Sequence, residues 1–366
     1  MELGLFLMPS HPPERDFRAG QDWDLAMLRL ADELGYQEAW IGEHFTAPWE
    51  PNPAPDLLVA QALMQTRRIK LAPGAHLLPY HHPAELACRV AFMDHLAQGR
   101  YMFGVGAGGL PSDWQLFCVD GASGKNREMT RESLDIILKI WASDGGFEYQ
   151  GKFWQVSVPN PMMRNFRHHV KPFQKPHPPI GIAGISPGSE TLKLAGERGF
   201  LPMSLNLSTR YAATHWESVL EGAARTGRTP QRRDWRMVRE TLVADTDEEA
   251  YAACVRGPMG RMMRQYLLPL MTDVGLIKYL KDDEQVADDL ITPEYLFDHG
   301  WLVGSVATVT QKLEEMYKQV GGFGTLLLLG FDYAENPEAW FKSMRLMATE
   351  VLPRFMNSGV EKSAAA

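Results

Sequence analysis

Cysteine is scarce in this chain of 366 residues, which contains three: Cys88, Cys118 and Cys254. An odd number of widely spaced cysteines supplies neither a disulfide framework nor the paired spacing of a zinc site. Isolated reduced thiols are typical of cytoplasmic proteins, and we predict that location here.

Long hydrophobic runs are absent as well, so no segment is predicted to span a membrane. The first residues, MELGLFLMPSHPP, lack the basic start and the long apolar segment of a signal peptide. Basic charge is also in short supply, since the formal net charge is −8 and no basic stripe is visible. Neither nucleic acid nor a membrane surface is therefore an expected partner.

What the sequence does contain is a regular alternation of apolar strands and helices. Hydrophobic residues make up 45% of the chain, enough to bury a sizeable core. Eight strands are predicted, at 3–8, 38–44, 69–75, 100–106, 179–184, 201–206, 237–245 and 324–330. Alternation throughout implies a parallel sheet with right-handed crossovers, and eight units fit a closed (β/α)8 barrel, the TIM-barrel fold.

Three segments interrupt the alternation, and we interpret them as insertions in a single domain, 1–356. They lie near 107–126, at the Pro-, Gly- and aromatic-rich 142–178, and at the mostly helical 257–300. Residues 357–366 are predicted to form a flexible tail. Since barrel enzymes carry their active sites at the carboxyl ends of the strands, the residues there are the candidates for chemistry.

Strand four ends in FGVGAGGLP, where Gly104, Gly106 and Gly109 form the pattern GxGxxG. In dinucleotide-binding enzymes this pattern opens a helix in the first βαβ unit. Here it belongs to the fourth unit and is followed at once by Pro111. We interpret the glycines instead as a surface without side chains, which lets a large flat ligand approach the backbone.

Strand five leads into GISPGSETLKLAGERG, where Ser186, Gly188 and Ser189 lie at a helix start. The free N–H groups and the dipole at such a start form an anion site. Plain capping of the helix by a serine explains these residues equally well. A phosphate site beside a glycine platform suggests flavin mononucleotide (FMN), which consists of one flat ring system and one phosphate.

Residues 71–83, LAPGAHLLPYHHP, contain the three histidines His76, His81 and His82. Adjacent histidines point apart, and no carboxylate pattern completes a metal shell, so we expect no metal ion here. Pro83 is expected to begin the following helix.

Several segments resemble the bacterial luciferase-like monooxygenases, along nearly the whole chain. The similar segments are WIGEHF (40–45), APGAHLLPYHHPAELA (72–87), GRYMFGVGAG (99–108), LAGERGF (194–200) and WLVGSVATVTQKL (301–313). Within that family the chain is similar to the diketocamphane monooxygenases, which share the AHLLP…HP pattern and the segments GPMGRMMRQYLLP and GGFGTLLLLGFDYAENPEAWF.

This resemblance implies a barrel that binds reduced FMN supplied by a separate flavin reductase. Oxygen then adds at flavin C4a, and the peroxide oxidises a small apolar substrate, for which a cyclic terpenoid is one expectation. Baeyer–Villiger oxidation of a ketone, hydroxylation and epoxidation are all open. Two other functions also stay open: a deazaflavin (F420)-dependent oxidoreductase on the same fold, and a non-catalytic flavin-binding partner subunit.

The resemblance assigns the catalytic role to His44, at the end of strand two. An imidazole titrates near neutral pH and so suits proton transfer, although a histidine that only shapes the pocket fits the same position. The preceding Glu43 either holds the second nitrogen of His44 or makes a hydrogen bond at the barrel rim.

The resemblance also implies a set of cofactor-binding residues. Gly74 and Ala75 take the place of a non-proline cis peptide that supports the flavin ring, and His76 is expected to line the same pocket. Arg131 matches an arginine near the phosphate, although a solvated arginine fits as well. The full predicted set is Met8, Gly74, Ala75, His76, Gly106, Arg131, Ser186, Gly188 and Ser189.

Two further predictions concern the substrate and a second subunit. The aromatic residues predicted to line the substrate pocket are Trp49, Trp114, Phe117 and Trp301. The family dimerises through the helix at 84–98, so we expect a homodimer in which the small residues Ala84, Ala87 and Ala91 allow close helix packing; packing against the barrel wall is the alternative.

Overall fold

The structure is a computed structural model that describes residues 1–360; the last six residues of the predicted tail, 361–366, lie outside the described part. The strands are β1 (Glu2–Leu7), β2 (Glu38–Ile41), β3 (Lys70–Pro73), β4 (His76–Leu77), β5 (Phe103–Gly106), β6 (Phe147–Gln150), β7 (Gln155–Val158), β8 (Ile180–Gly184), β9 (Leu201–Ser204), β10 (Arg236–Ala244), β11 (Leu302–Ser305) and β12 (Thr325–Leu329).

The helices fill the intervals between the strands and continue to Asn357. They are α1 (Phe17–Leu34), α2 (Pro55–Leu63), α3 (Pro83–Ala97), α4 (Pro111–Leu116), α5 (Lys125–Ala142), α6 (Glu190–Arg198), α7 (Thr209–Ala213), α8 (His215–Ala224), α9 (Asp247–Cys254), α10 (Pro258–Met262), α11 (Leu268–Asp273), α12 (Pro293–His299), α13 (Val306–Val320), α14 (Pro337–Leu346) and α15 (Leu352–Asn357). Single π-helical turns, Met263–Leu267 and Met347–Val351, join α10 to α11 and α14 to α15.

The strand pairings run round a ring with eight positions. β1 pairs with β2 and with β12, and the ring continues through β5, β8, β9 and β10 back to β12. β3 and β4 are the two halves of the third position, which a bridge between Leu71 and Tyr101 joins to the fourth. All pairings in the ring are parallel. The predicted eight-stranded (β/α)8 barrel is confirmed, with each strand at its predicted place.

The barrel strands are apolar because they are covered on both sides. Every residue of β2 and of β12 is buried. Toward the amino ends of the strands, the inward-facing Glu38 pairs with Arg236 at 3.1 Å and accepts a hydrogen bond from the Trp40 indole at 2.8 Å. This buried ion pair fills the bottom of the barrel, so a ligand site is left to the carboxyl end.

Three elements differ from the sequence-based prediction. The 142–178 insertion contains an antiparallel hairpin, β6–β7, and β11 pairs with β10 outside the ring. Pro111 does not break the chain; it occupies the first turn of α4, where its missing N–H costs nothing. The argument that Pro111 prevents a helix after the glycines is therefore wrong. The barrel topology independently excludes a Rossmann unit, so the glycines are still not a dinucleotide-binding motif.

The 257–300 insertion is mostly helical, as predicted, and it contributes α10 to α12. Its side chains pack into the same core as the barrel residues, including Met263 and Leu296. Across residues 1–360, no helix combines the length and the apolar character needed to cross a membrane.

Candidate functional site

The predicted site residues from three of the strand positions lie at one end of the barrel. Met8 follows β1, Gly74 and Ala75 divide the third strand, and Gly106 ends β5. A Cβ atom placed on Gly106 would lie 3.1 Å from the Ala75 Cβ. Because parallel strands all end on the same side, these residues surround one opening.

The Gly74–Ala75 peptide bond is cis, as the resemblance implied. The Gly74 N–H donates to the Ile41 carbonyl at 2.5 Å, and a Cβ on Gly74 would lie 2.7 Å from the Trp40 Cβ, so a side chain does not fit there. Gly74 and Ala75 are both partly exposed, whereas the next residue, His76, is fully buried. Backbone rather than side chain therefore faces the opening.

Glu43 lies behind that backbone and holds it in place. Its carboxylate accepts hydrogen bonds from the Leu77 N–H at 2.6 Å and from the His81 ring at 2.8 Å. Burial opposes ionisation, but the neighbouring His76 and His81 rings outweigh it and lower the pKa of Glu43 to about 2. Glu43 is thus an ionised carboxylate that holds the third strand by hydrogen bonds, and it is not the partner of His44.

We expect Glu43→Gln to destabilise the fold by on the order of 3 kcal/mol at neutral pH, the linkage value of a pKa lowered from about 4.5 to about 2. A carboxyl group whose pKa is lowered in the folded protein stabilises the fold above pH 4.5. This contribution is lost as the pH falls toward 2. The difference between variant and wild type should therefore shrink over that window in denaturant unfolding. Glu85→Gln, at an exposed carboxylate, is the control; a constant difference at all pH values would contradict the role.

The placement of His76 corrects one expectation and removes a reason given for another. With no exposed surface, and with its ring against His81 and Phe103, it does not line the pocket. The expectation of no metal rested on a missing carboxylate, yet Glu43, His76 and His81 place one ligand atom each within 4.8 Å of one another. The His76 Nδ1 is 4.0 Å from Glu43 Oε1, and within residues 1–360 neither ring nitrogen of His76 has a hydrogen-bond partner.

His44 faces the opening and is paired with Glu50. Its ring is partly exposed, and Nδ1 contacts the Glu50 Oε2. Burial lowers the histidine pKa, but the Glu50 carboxylate outweighs this effect, so the pKa of His44 is raised. Tyr266 donates to the same Glu50 oxygen at 2.9 Å. An imidazole, a carboxylate and a phenol thus form one chain of contacts, which can hold and orient a proton.

The loop after β2 explains why Glu50, and not Glu43, reaches His44. Glu43 and His44 follow β2, and their side chains diverge: the Glu43 carboxylate contacts the third strand, whereas the His44 ring contacts Glu50. The chain then turns back: the His44 N–H donates to the Asn52 carbonyl at 3.1 Å, and the Asn52 amide donates to the Gly42 carbonyl at 2.8 Å. Glu50 and Tyr266 were both missed from the sequence, because no local pattern reveals this loop path.

Ser189 caps α6 at the carboxyl end of β8. Its Oγ accepts from the Leu192 N–H at 3.4 Å and contacts the Thr191 hydroxyl at 2.8 Å. Gly188, at φ 64°, is exposed, and a Cβ there would meet nothing within 4 Å. Capping by Ser189 is thus observed, and the open backbone at Gly188 leaves the start of the helix accessible to an anion.

Comparison with known proteins assigns the chain to a family. The family model for luciferase-like monooxygenases matches residues 1–322. Two relatives from Pseudomonas putida are 3,6-diketocamphane 1,6-monooxygenase, 35% identical across 97% of this chain and 98% of its own length, and 2,5-diketocamphane 1,2-monooxygenase 1, 34% identical across 97% and 99%.

A solved structure gives the same result. It is the oxygenating constituent of 3,6-diketocamphane monooxygenase from Pseudomonas putida, a type II Baeyer–Villiger enzyme in complex with FMN. It matches with a TM-score of 0.90 and 35% identity over 96% of this chain and 98% of its own. The chain belongs to the luciferase-like monooxygenase family.

Arg131, the phosphate residue suggested by the likeness to luciferase-like monooxygenases, is paired with a glutamate in this structure. Arg131 binds Glu197 at 3.2 Å, and the next turn pairs Asp135 with Arg198 at 2.7 Å. Glu197 lies eight residues beyond Ser189, about 12 Å along α6. Arg131 therefore joins α5 to the far end of α6 in this structure, and its role at the phosphate stays a prediction.

The four predicted pocket aromatics occupy different parts of this luciferase-like barrel. Trp49 stacks on Tyr266 with ring centroids 6.2 Å apart, which places it beside the Glu50 contact. Phe117 stacks on Tyr80 at 4.4 Å, and Trp301 lines an internal cavity. Trp114 donates to the Gly108 carbonyl at 3.2 Å, so it fastens the glycine loop.

Proposed function

We propose that the chain is the oxygenase component of a two-component flavin monooxygenase, which uses reduced FMN and O2 to oxidise a small apolar cyclic ketone by Baeyer–Villiger chemistry. The single observation that carries this proposal is the His44–Glu50–Tyr266 chain beside the cis Gly74–Ala75 backbone, in a protein 35% identical to a diketocamphane monooxygenase over nearly its full length.

The residues at the opening fit FMN. Gly74, Ala75 and Gly106 present backbone and small side chains to a flat ring system, and the start of α6 at Gly188 and Ser189 offers N–H groups to a phosphate. When bound, reduced FMN supplies the electrons and activates O2. The half-buried Ser186 completes the same loop, and Met8 lies against Gly42 at the barrel rim.

His44 is the proton-handling group in this proposal. The Glu50 carboxylate orients its ring and favours the protonated form, while Tyr266 fixes the carboxylate from the 257–300 insertion. Aromatic contacts join the loops on that side, where Phe117 packs edge-on against Phe45 at 4.6 Å and Trp49 stacks on Tyr266 at 6.2 Å, and in this proposal they limit the access of water. Glu43 supports the third strand from behind and takes no part in proton transfer.

We expect Ser189→Asp to weaken FMN binding by at least tenfold, because a carboxylate beside the phosphate replaces a neutral group with a repelling charge. Aspartate caps helices as well as serine does, so α6 should persist. Riboflavin, which lacks the phosphate, should bind the wild type and the variant alike. Flavin titrations followed by fluorescence would measure both ligands.

Thr246→Asp, which introduces the same charge at the N-cap of α9, is the matched control. It should leave the affinity for both flavins unchanged. Equal losses of FMN and riboflavin binding in Ser189→Asp would contradict the binding of the phosphate at the start of α6.

The proposal assigns no metal to the Glu43, His76 and His81 group. The Glu43 carboxylate is already engaged by the His81 ring at 2.8 Å and by the Leu77 N–H at 2.6 Å, so it works as a hydrogen-bond acceptor that holds the third strand, while the His76 ring packs against its neighbours. Dialysis against EDTA should leave the melting temperature and the turnover unchanged, and metal analysis should find no stoichiometric ion. Loss of stability on chelation, restored by one divalent ion, would overturn this assignment.

A flavin reductase is the proposed source of reduced FMN, and a second copy of the chain is the proposed subunit partner. Ala87 and Ala91 of α3 are fully buried against the chain's own core and so are not available to a second subunit, whereas Ala84 is partly exposed. The outer face of α3 instead exposes Phe92 (57%) and Leu96 (55%). Light scattering should give the mass of a dimer, and Phe92→Glu should shift it to the monomer.

The competing functions predict different ligands. A deazaflavin enzyme on this barrel would bind F420 and ignore oxygen, whereas a non-catalytic subunit would bind flavin without turnover. Oxygen consumption with photoreduced FMN, compared with reduced F420, separates the three possibilities. The cytoplasmic location rests on the cysteine usage of the chain and stays a prediction.

A further inference from the structure

A buried histidine that the proposed mechanism does not use lies at the start of α8. This residue, His215, has no exposed surface. Its Nδ1 is 2.8 Å from the Ser204 Oγ, and the indole of Trp235, directly before β10, donates to the same oxygen at 2.8 Å. His215 was not singled out as a functional residue from the sequence.

Strand pairing and helix packing place this histidine behind the segment that leads into α6. Ser204, at the end of β9, is in register with Gly184, at the end of β8. Residues 185–188, here called the phosphate loop, follow at once and join β8 to the start of α6. α8 packs directly on α6, since a Cβ on Gly222 of α8 would collide with the α6 backbone. Both helices begin at the carboxyl end of the barrel, so His215 lies beside this loop.

The hydrogen-bond chain decides which ring nitrogen of His215 carries the proton. An indole N–H can only donate, so the Ser204 Oγ accepts from Trp235 and its hydroxyl donates to the His215 Nδ1. Burial lowers the pKa of His215 to about 4, so the ring is neutral near pH 7. A neutral imidazole carries one proton, which is therefore on Nε2. The ring thus presents an N–H donor on the side away from Ser204.

This donor is not yet engaged by the protein. The His215 Nε2 is buried and has no hydrogen-bond partner within residues 1–360. The backbone of Ser186, in the phosphate loop, faces the ring and favours its protonated form. Ser186 is partly exposed and Gly188 is exposed, so packing does not fix the loop rigidly. Because an unpaired buried donor is unfavourable, a position of the loop that completes a bond from Nε2 to the Ser186 carbonyl is favoured.

We propose that His215 is a positioning residue for the cofactor phosphate: its Nε2–H donates to the Ser186 carbonyl and holds the phosphate loop so that the N–H groups at the start of α6 point at the phosphate. This inference rests on the proposed function, which places the FMN phosphate at Gly188 and Ser189. The ring lies behind the loop and does not touch the phosphate itself. Its loss should therefore affect FMN and spare riboflavin, which has no phosphate.

The test is an equilibrium titration with FMN and with riboflavin, followed by flavin fluorescence, on two amide variants. The amide of glutamine reaches the position of Nε2, whereas the shorter asparagine reaches only that of Nδ1. His215→Asn should weaken FMN binding by roughly threefold to tenfold, the usual value of one hydrogen bond, and leave riboflavin binding unchanged. His215→Gln should retain most of the FMN affinity.

Ser204→Ala serves if His215→Asn does not fold. It leaves the ring in place but no longer fixes the proton on Nε2, so FMN binding should weaken by about threefold with riboflavin binding unchanged. Thr214→Ala is the matched control, since it removes the hydrogen bond from the Thr214 hydroxyl to the Tyr211 carbonyl at 2.8 Å, next to His215, and leaves the ring intact. It should change neither affinity.

The outcomes separate this inference from the function on which it rests. An unchanged FMN affinity in His215→Asn, or equal losses of FMN and riboflavin binding, overturns the positioning role while the monooxygenase stands. FMN binding that survives in His215→Asn but falls in His215→Gln also overturns it, because the contact with Ser204 would then be the one that matters. A wild type that binds riboflavin as tightly as FMN overturns the inference together with the phosphate site. The expected pattern in a chain that forms no oxygenated product supports the inference and contradicts the monooxygenase.

Discussion

A chain with His44→Ala should form product about 10²–10⁴-fold more slowly than the wild type, the usual contribution of a positioned acid–base group. Its affinity for FMN should change little, because His44 is not part of the backbone platform at Gly74 and Ala75. Most of the reduced flavin should still be oxidised, with hydrogen peroxide released in place of product. Product and peroxide formed per flavin oxidised are the quantities to measure.

The matched control is His82→Ala. His82 lies in the same histidine-rich segment, but its ring is exposed, accepts a hydrogen bond from the Ala84 N–H at 3.3 Å and packs edge-on against Trp154, away from His44 and Glu50. It should keep the wild-type yield. An undiminished yield in His44→Ala would make His44 a residue that only shapes the pocket, and the proton-handling group would then have to be sought elsewhere.

Glu50→Gln should move the pH dependence of product formation to lower pH and reduce the yield at neutral pH roughly tenfold, through loss of ring orientation. The Glu50 carboxylate raises the pKa of His44, so without it burial prevails and the histidine loses its proton earlier. If the neutral ring assists a reaction at a ketone, the wild-type yield rises with pH through the His44 titration, and in the variant this rise occurs at lower pH.

Tyr266→Phe separates charge from hydrogen bonding in the same chain of contacts. It removes the 2.9 Å hydrogen bond to Glu50 but leaves the carboxylate beside His44. The pH profile should therefore stay near that of the wild type even if the yield falls. A profile of Glu50→Gln that coincides with the wild type would show that Glu50 does not control the ionisation of His44.

The barrel was predictable because its signal is local. Each parallel strand is a short apolar run with a helix behind it, so all eight strands are visible in the sequence. The hairpin β6–β7 was missed because its strands, Phe147–Gln150 and Gln155–Val158, are largely exposed and lie in a segment rich in proline and glycine. Pro111 was misinterpreted because one residue type both ends and begins helices.

The site was predictable only where position along a strand decides the role. His44 and the Gly74–Ala75 pair follow from the strand ends, together with the family likeness. The partner of His44 does not, because Glu50 returns through a loop and Tyr266 is 216 residues away from it. The contact of Arg131 with Glu197 was not predictable for a similar reason, since it depends on how α5 packs against α6.

The central claim, oxygen transfer from O2 to a ketone, is tested most directly by isotope labelling. The purified chain would be mixed with photoreduced FMN, ¹⁸O2 and a panel of cyclic mono- and diketones, and the products analysed by mass spectrometry. We predict a lactone that carries one ¹⁸O atom, formed by the wild type and strongly reduced in His44→Ala. Consumption of ¹⁸O2 with hydrogen peroxide as the only product from every ketone, or a lactone without label, would contradict the claim.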